Sequence, residues 1–197
     1  MKLINNLICS IVLIFSLQSL TKADDIREFE IEGMSVGDSL LDYMSRIDID
    51  KADTQFYSHS KKFEQKNIGY EIKMETYDFV TVALKTNDEN YTIHEIKGFK
   101  RFSSHRECLT NRDIVVKELK NLFNKNEYNM NSYEKKTEVD KYSNTNSVDF
   151  IFDSGLIRAY CIDWSKKIRE DKGGFYDDSL TVIIYDKEFQ SFLSDIN

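Results

Sequence analysis

Apolar residues that return at every second position commit this chain to β-structure. Val80, Val82 and Leu84 do so, as do Val148, Phe150 and Phe152, and again Leu180, Val182 and Ile184. Successive side chains of a strand point to opposite faces, so each set makes one apolar face of a sheet. The same alternation predicts strands at Tyr70, Ile72 and Met74 and from Tyr91 through Ile93 towards Phe99. Leu156 to Asp163 completes a hairpin through the turn Asp153-Ser154-Gly155. Lys85 to Asn90, with Asn87 and Asp88, reads as a second hairpin turn, and Gly173-Gly174 as another turn. The chain has no proline, so its boundaries rest on Gly, Asn and Asp.

Helical spacing is clearest from His105 to Lys125, where Ser104 and Glu107 have the S-x-x-E spacing of a capping box and Cys108, Val115, Leu119 and Leu122 recur on one face. Lys120 and Lys125 suit its C-terminal dipole. A first helix is expected from Val36 to Ile47, capped by Ser35, with Asp38 at its third position and Val36, Leu40, Met44 and Ile47 on one side. A last helix, capped by Asp186, carries Phe189, Phe192, Leu193 and Ile196. Asn124 to Asn146 is rich in Asn, Lys, Glu and Tyr without a clean period and reads as a long polar connection. These elements imply an α+β fold, an antiparallel sheet with helices packed on one face.

The first 23 residues have the order of a secretory signal peptide. A basic start at Lys2 leads into the apolar run Leu7 to Leu17, then polar Gln18, Ser19 and Thr21 before Ala23. The run is interrupted by Ser10 and Ser16 and is shorter than the roughly 20 apolar residues of a membrane span, so no integral membrane association is expected after cleavage. Cys9 lies inside the run rather than at its end, which disfavours lipid attachment. Residues 24–197 then form a single domain with a periplasmic or secreted address. Cleavage removes Lys2 and Lys22, leaving 25 basic groups against 34 acidic ones, a net charge of −9 in place of −7. Such a domain repels nucleic acid. Its mixed charge runs, such as Lys166 to Lys172, read as solvated faces. Two cysteines remain, Cys108 and Cys161, and an oxidising compartment pairs them as one disulfide.

Motifs that carry chemistry are incomplete. Gly37-Asp38-Ser39-Leu40 resembles the block that names the GDSL lipolytic hydrolases. That family needs a later Asp-x-x-His and a Gly-x-Asn-Asp for its base and oxyanion donors, and the chain has neither: positions 85 to 88 read Lys-Thr-Asn-Asp and the last histidine is His105. The match is read as accidental. Gly33-Met34-Ser35-Val36-Gly37 satisfies G-x-S-x-G without the buried strand that a nucleophile elbow follows, so Gly33 is assigned to a turn and Ser35 to a cap. Asp48, Asp50 and Asp53 open like a calcium loop but lack its glycine and have His59 where the bidentate Glu belongs. His59, His94 and His105 show no metal-ligand spacing, and each is read as a surface or satisfied core histidine. Asn90-Tyr91-Thr92 is a glycosylation acceptor only in a host that glycosylates. No catalytic residue, metal or cofactor is assigned.

The segment Glu30 to Leu40, Cys108 at a helix start and Cys161-Ile162-Asp163-Trp164-Ser165 after a hairpin together resemble a group of small uncharacterised exported bacterial proteins, a resemblance that implies no activity. The reading that follows is a non-catalytic binding or envelope-accessory module whose partner is an unknown protein or small-molecule ligand. A serine hydrolase of GDSL-like type using Ser39 or Ser35, and an inhibitory or structural envelope protein, are the alternatives.

Overall fold

The computed structural model describes residues 25–57, 60–69, 72–172 and 176–196. The expected signal peptide, Tyr70, His59 and the Gly173-Gly174 turn lie outside the described residues.

Eight strands form one antiparallel sheet: β1 Asp53–Phe56, β2 Phe63–Asn67, β3 Phe79–Lys85, β4 Ile93–Phe102, β5 Asn129–Lys136, β6 Asn144–Ile151, β7 Gly155–Asp163 and β8 Asp178–Asp186. Their order, β1-β2-β3-β4-β8-β7-β6-β5, joins two four-stranded meanders through the β4–β8 pair. Helix α1 is Arg46–Lys51, α2 His105–Leu122, α3 Lys166–Lys172 and α4 Lys187–Ile196. Central β8 is buried on both faces, and apolar residues accordingly fill the positions between the alternating Leu180, Val182 and Ile184 from Val182 to Tyr185.

Helix α2 carries the chain from β4 in the middle of the sheet to β5 at its edge. Its 18 residues span about 27 Å, more than the roughly 19 Å of the intervening inter-strand steps. Ser104 Oγ accepts the Glu107 N–H, while the Glu107 carboxylate reaches back to the N–H and hydroxyl of Ser103, one residue further than the expected box. Cys108, Val116 and Leu119 of α2 pack with Val182 and Ile184 of β8 and with Ile157, Ala159 and Cys161 of β7. Cys108 and Cys161 are joined by a disulfide and both are fully buried.

The other face of β8 carries Ile183 and Tyr185, which pack with Phe189 and Phe192 of α4, Phe63, Ala83 and Leu156. Asp186 caps α4 by accepting the Phe189 N–H, and its second oxygen lies 2.7 Å from His94 Nδ1. Adjacent side chains of β8 alternate between the two clusters, so α2 and α4 cover opposite faces. This corrects the expectation of helices on one face. The physical cause is that the two faces of β8 are both apolar and each needs a cover.

Four further expectations change. The helix from Val36 to Ile47 does not form: Gly37 has a φ of +91°, its N–H donates to Ile93 O, and the Leu40 N–H donates to Tyr91 O. Backbone partners beside β4 thus replace a helical ladder. Ser35 is not a cap; its buried hydroxyl donates to Phe29 O, while Ser39 caps a short 3-10 turn and Ser45 caps α1. Ile72 and Met74 pack on the core from a loop rather than a strand. The 124–146 connection contains β5 and the start of β6; β5 is an edge strand exposed on both faces, so it shows no hydrophobic period.

Glu32 holds the loop that carries Met74. Its carboxylate accepts the N–H groups of Glu75, Thr76 and Tyr77 at 2.8, 2.7 and 2.8 Å. Burial pushes the Glu32 pKa up, but these three donors, helped by Lys100, outweigh it and hold the value below the ordinary 4.5. The bonds therefore stabilise the fold fully above the ordinary value, and that contribution is lost as the pH falls through the lower folded value. In urea unfolding, wild type is expected to exceed Glu32→Gln in stability at pH 7, with the gap narrowing at pH 3. A gap of equal size at both pH values would contradict this.

Candidate functional site

Cross-strand register lays polar side chains in rows on the face that α4 only partly covers. One row runs Thr81, Lys97, Ile183, Arg158, Asp149 through successive pairs of β3, β4, β8, β7 and β6. The next runs Phe79, Phe99, Thr181, Tyr160, Ser147, Tyr133. The helices pack on β4, β7 and β8, and α4 sits over the Leu156, Ile183 and Tyr185 end. Beyond it the rows open into two clefts.

The first cleft, of about 280 Å³, lies over β5, β6 and β7. Tyr160, Ile162 and Trp164 supply its apolar wall, Thr145 and Ser147 its hydroxyls, and Lys135, Lys136 and Arg158 its cations. Trp164 is the single tryptophan of the chain and packs edge-on to Tyr176 at 4.7 Å. Arg158 is held in place by a two-pronged bond to Asp149, Nε to Oδ1 and Nη2 to Oδ2, both 2.7 Å. Tyr133 Oη donates to the same carboxylate at 3.3 Å. One acid, Glu138, lines the cleft against its three cations. Counting the Asp149 carboxylate that Arg158 engages, the groups about the cleft are three cations against two acids, in a chain of net charge −7.

The second cleft, of about 330 Å³, lies over β1 to β4 and is walled by Gln55, Gln65, Asn67, Thr81, Lys97 and Asp53 with Phe79. Phe79 stacks on Phe99 at 4.8 Å, and Gln65 Nε2 donates to Thr81 Oγ1 at 3.2 Å. Lys97 of this cleft is 3.4 Å from Glu95 of its own strand, whereas the first cleft is lined by three cations and two rings.

The residues singled out in the sequence fall elsewhere. The Ser39 hydroxyl donates to Asn90 O at 2.6 Å and the Ser35 hydroxyl to Phe29 O at 2.9 Å, so each is spent on a backbone carbonyl. Asp48 and Asp50 lie on α1 and Asp53 starts β1, an arrangement of helix and strand rather than a calcium loop. His94 is paired with Asp186. His105, read as an isolated histidine, is instead gathered with Asp163 and Asp178, with one ligand atom from each within 4.8 Å of the others.

Apolar periodicity alone does not point to the cleft residues, because they occupy the other half of each alternation. In β6 and β7 the complementary positions, Thr145, Ser147, Asp149, Arg158 and Tyr160, form a polar face of their own, and that period was legible. No spacing signal joins His105 to Asp163 and Asp178. No helix among the described residues is long and apolar enough to cross a membrane. Compared with known proteins, the chain matches no family model, no curated protein and no solved structure.

Proposed function

We propose that the protein is an exported binding module that takes a small anionic, ring-bearing ligand in the cleft beside Trp164. The carrying observation is the convergence of Tyr160, Trp164, Lys135, Lys136 and Arg158 on one opening of the sheet face. Small-molecule sites combine an apolar wall with a few fixed polar groups, and here the wall is aromatic while the polar groups are cations and hydroxyls. Arg158 is braced by Asp149, so its guanidinium is oriented before any ligand arrives. Export is supported by the order of residues 1 to 23 and by the pairing of Cys108 with Cys161.

Trp164 is a built-in reporter of this cleft. Titration with benzoate and phenylacetate is expected to give a saturable change in its fluorescence. Benzamide and phenylacetamide, which lack the charge, are expected to bind about tenfold more weakly, the size of one charge-assisted hydrogen bond. Lys136→Glu is expected to weaken the acids and leave the amides unchanged. Equal binding of acids and amides, or no saturable change with any of them, would sink the proposal.

A further inference from the structure

We infer that His105, Asp163 and Asp178 bind one divalent transition-metal ion of the zinc type at the end of the sheet beneath the start of α2. This site faces away from the cleft beside Trp164 and does not depend on it. The argument starts from register. Ile162 pairs with Ser179, so one step further along the same two strands Asp163 and Asp178 come side by side. Side chains two apart share a strand face, so Asp163 lies on the face of Cys161, and Asp178 on that of Leu180, the face covered by α2. Two carboxylates placed side by side repel one another, and Asp178 is 4% exposed.

His105 is brought to this pair by the disulfide. It is the first residue of α2 and lies three before Cys108, so the two share one side of the helix. Cys108 is bonded to Cys161, which precedes Asp163 by two on the same strand face. The bridge thus pins the helix turn that carries His105 over the strand end that carries Asp163.

The imidazole has one engaged and one unengaged nitrogen. Nε2 lies 3.4 Å from the side-chain amide of Asn146, while Nδ1 is buried with no hydrogen-bond partner among the described residues. A buried polar atom without a partner calls for an ion or a water beside it. Arg169 answers only part of the carboxylate charge: it donates to Asp178 Oδ1 and lies 3.7 Å from Asp163 Oδ1. Its guanidinium is fixed by a 3.0 Å bond from Nε to Trp164 O. Among the described residues, one negative charge and three oxygen positions therefore remain for a cation, with Arg169 bracing the ligating carboxylates from outside.

One imidazole nitrogen and two carboxylate oxygens suit zinc, which takes three protein ligands and keeps a fourth position for water. Calcium and magnesium prefer oxygen alone. Zinc bonds of about 2.0–2.2 Å set ligand atoms roughly 3.4 Å apart. The widest separation here is within 4.8 Å, and the half-exposed Asp163 side chain is free to close it.

The test is a calorimetric titration of Zn²⁺ into the chelator-treated protein, with thermal unfolding alongside. One ion per chain and a raised melting temperature are expected. His105→Ala and Asp163→Asn are each expected to weaken binding by at least about 100-fold, the loss that removing even an outer supporting group can bring. Asp163→Asn conserves volume at a half-exposed position and decides the matter if the His105 variant fails to fold. Absence of Zn²⁺ binding, Zn²⁺ binding unchanged in Asp163→Asn, or tighter binding of Ca²⁺ than of Zn²⁺ would each overturn the inference.

Discussion

Replacing Cys108 and Cys161 together by alanine is expected to lower the unfolding free energy by about 4 kcal/mol. The two residues are 53 apart in sequence, and closing a loop of that length removes about this much conformational freedom from the unfolded chain. Alanine leaves no buried hydroxyl behind at two positions of zero exposure, so the loss reflects the cross-link and a small packing defect rather than an unsatisfied polar group. Domains of this size are stable by about 5–15 kcal/mol, so the variant is expected to sit close to the threshold of folding. Urea unfolding of the oxidised protein, the reduced protein and the double alanine variant measures it. A difference below about 1 kcal/mol between oxidised wild type and the variant would show that α2 is held by packing alone. The same bond sets His105 over Asp163, so losing it is expected to loosen that contact even where the fold survives.

Asp149→Ala is expected to cost about 3 kcal/mol, for a different reason. The Asp149 side chain is 7% exposed and takes both prongs of Arg158, so its removal strands a guanidinium on the sheet face. Breaking one side of a buried ion pair costs about 3–5 kcal/mol, and the 27% exposure of Arg158 places this pair at the lower end because water screens what remains. Asp149→Leu combined with Arg158→Met removes both charges and is expected to recover most of the loss. A double-mutant cycle by urea unfolding separates the pair from its surroundings. If Asp149→Ala cost no more than a surface substitution, the fork would be decorative and the pre-oriented cleft would lose its support.

Local physics is what made part of this molecule legible. The period-two runs of β3, β6 and β8 and the capped α2 and α4 are written in neighbouring residues, because alternation and capping act over one or two turns of chain. The pairing of Cys108 with Cys161 followed from their being the two cysteines beyond residue 23 of a chain expected to be exported. The segment from Val36 to Ile47 shows where such reading stops. Its apolar residues fit a helical face, yet Gly37 and the carbonyls of Tyr91 and Ile93 draw the backbone into contacts that no local pattern encodes.

The tertiary structure alone decided the rest. β1 and β5 are edge strands with mostly exposed side chains, and β2 beside β1 buries Phe63 and Lys66 without an apolar alternation, so their place in the sheet comes from backbone pairing with a neighbour rather than from hydrophobic period. The sequence by itself determined that β8 would be apolar and that two amphipathic helices would seek cover; only the sheet order, with β8 in the middle, decided that they cover opposite faces. The candidate sites obey the same division. Thr145, Ser147, Arg158 and Tyr160 alternate visibly along their strands, but register sets them beside one another in a cleft. Asp163 and Asp178 meet through strand pairing and His105 joins them through a disulfide, so a site made of long-range contacts has no signature in the spacing of its residues.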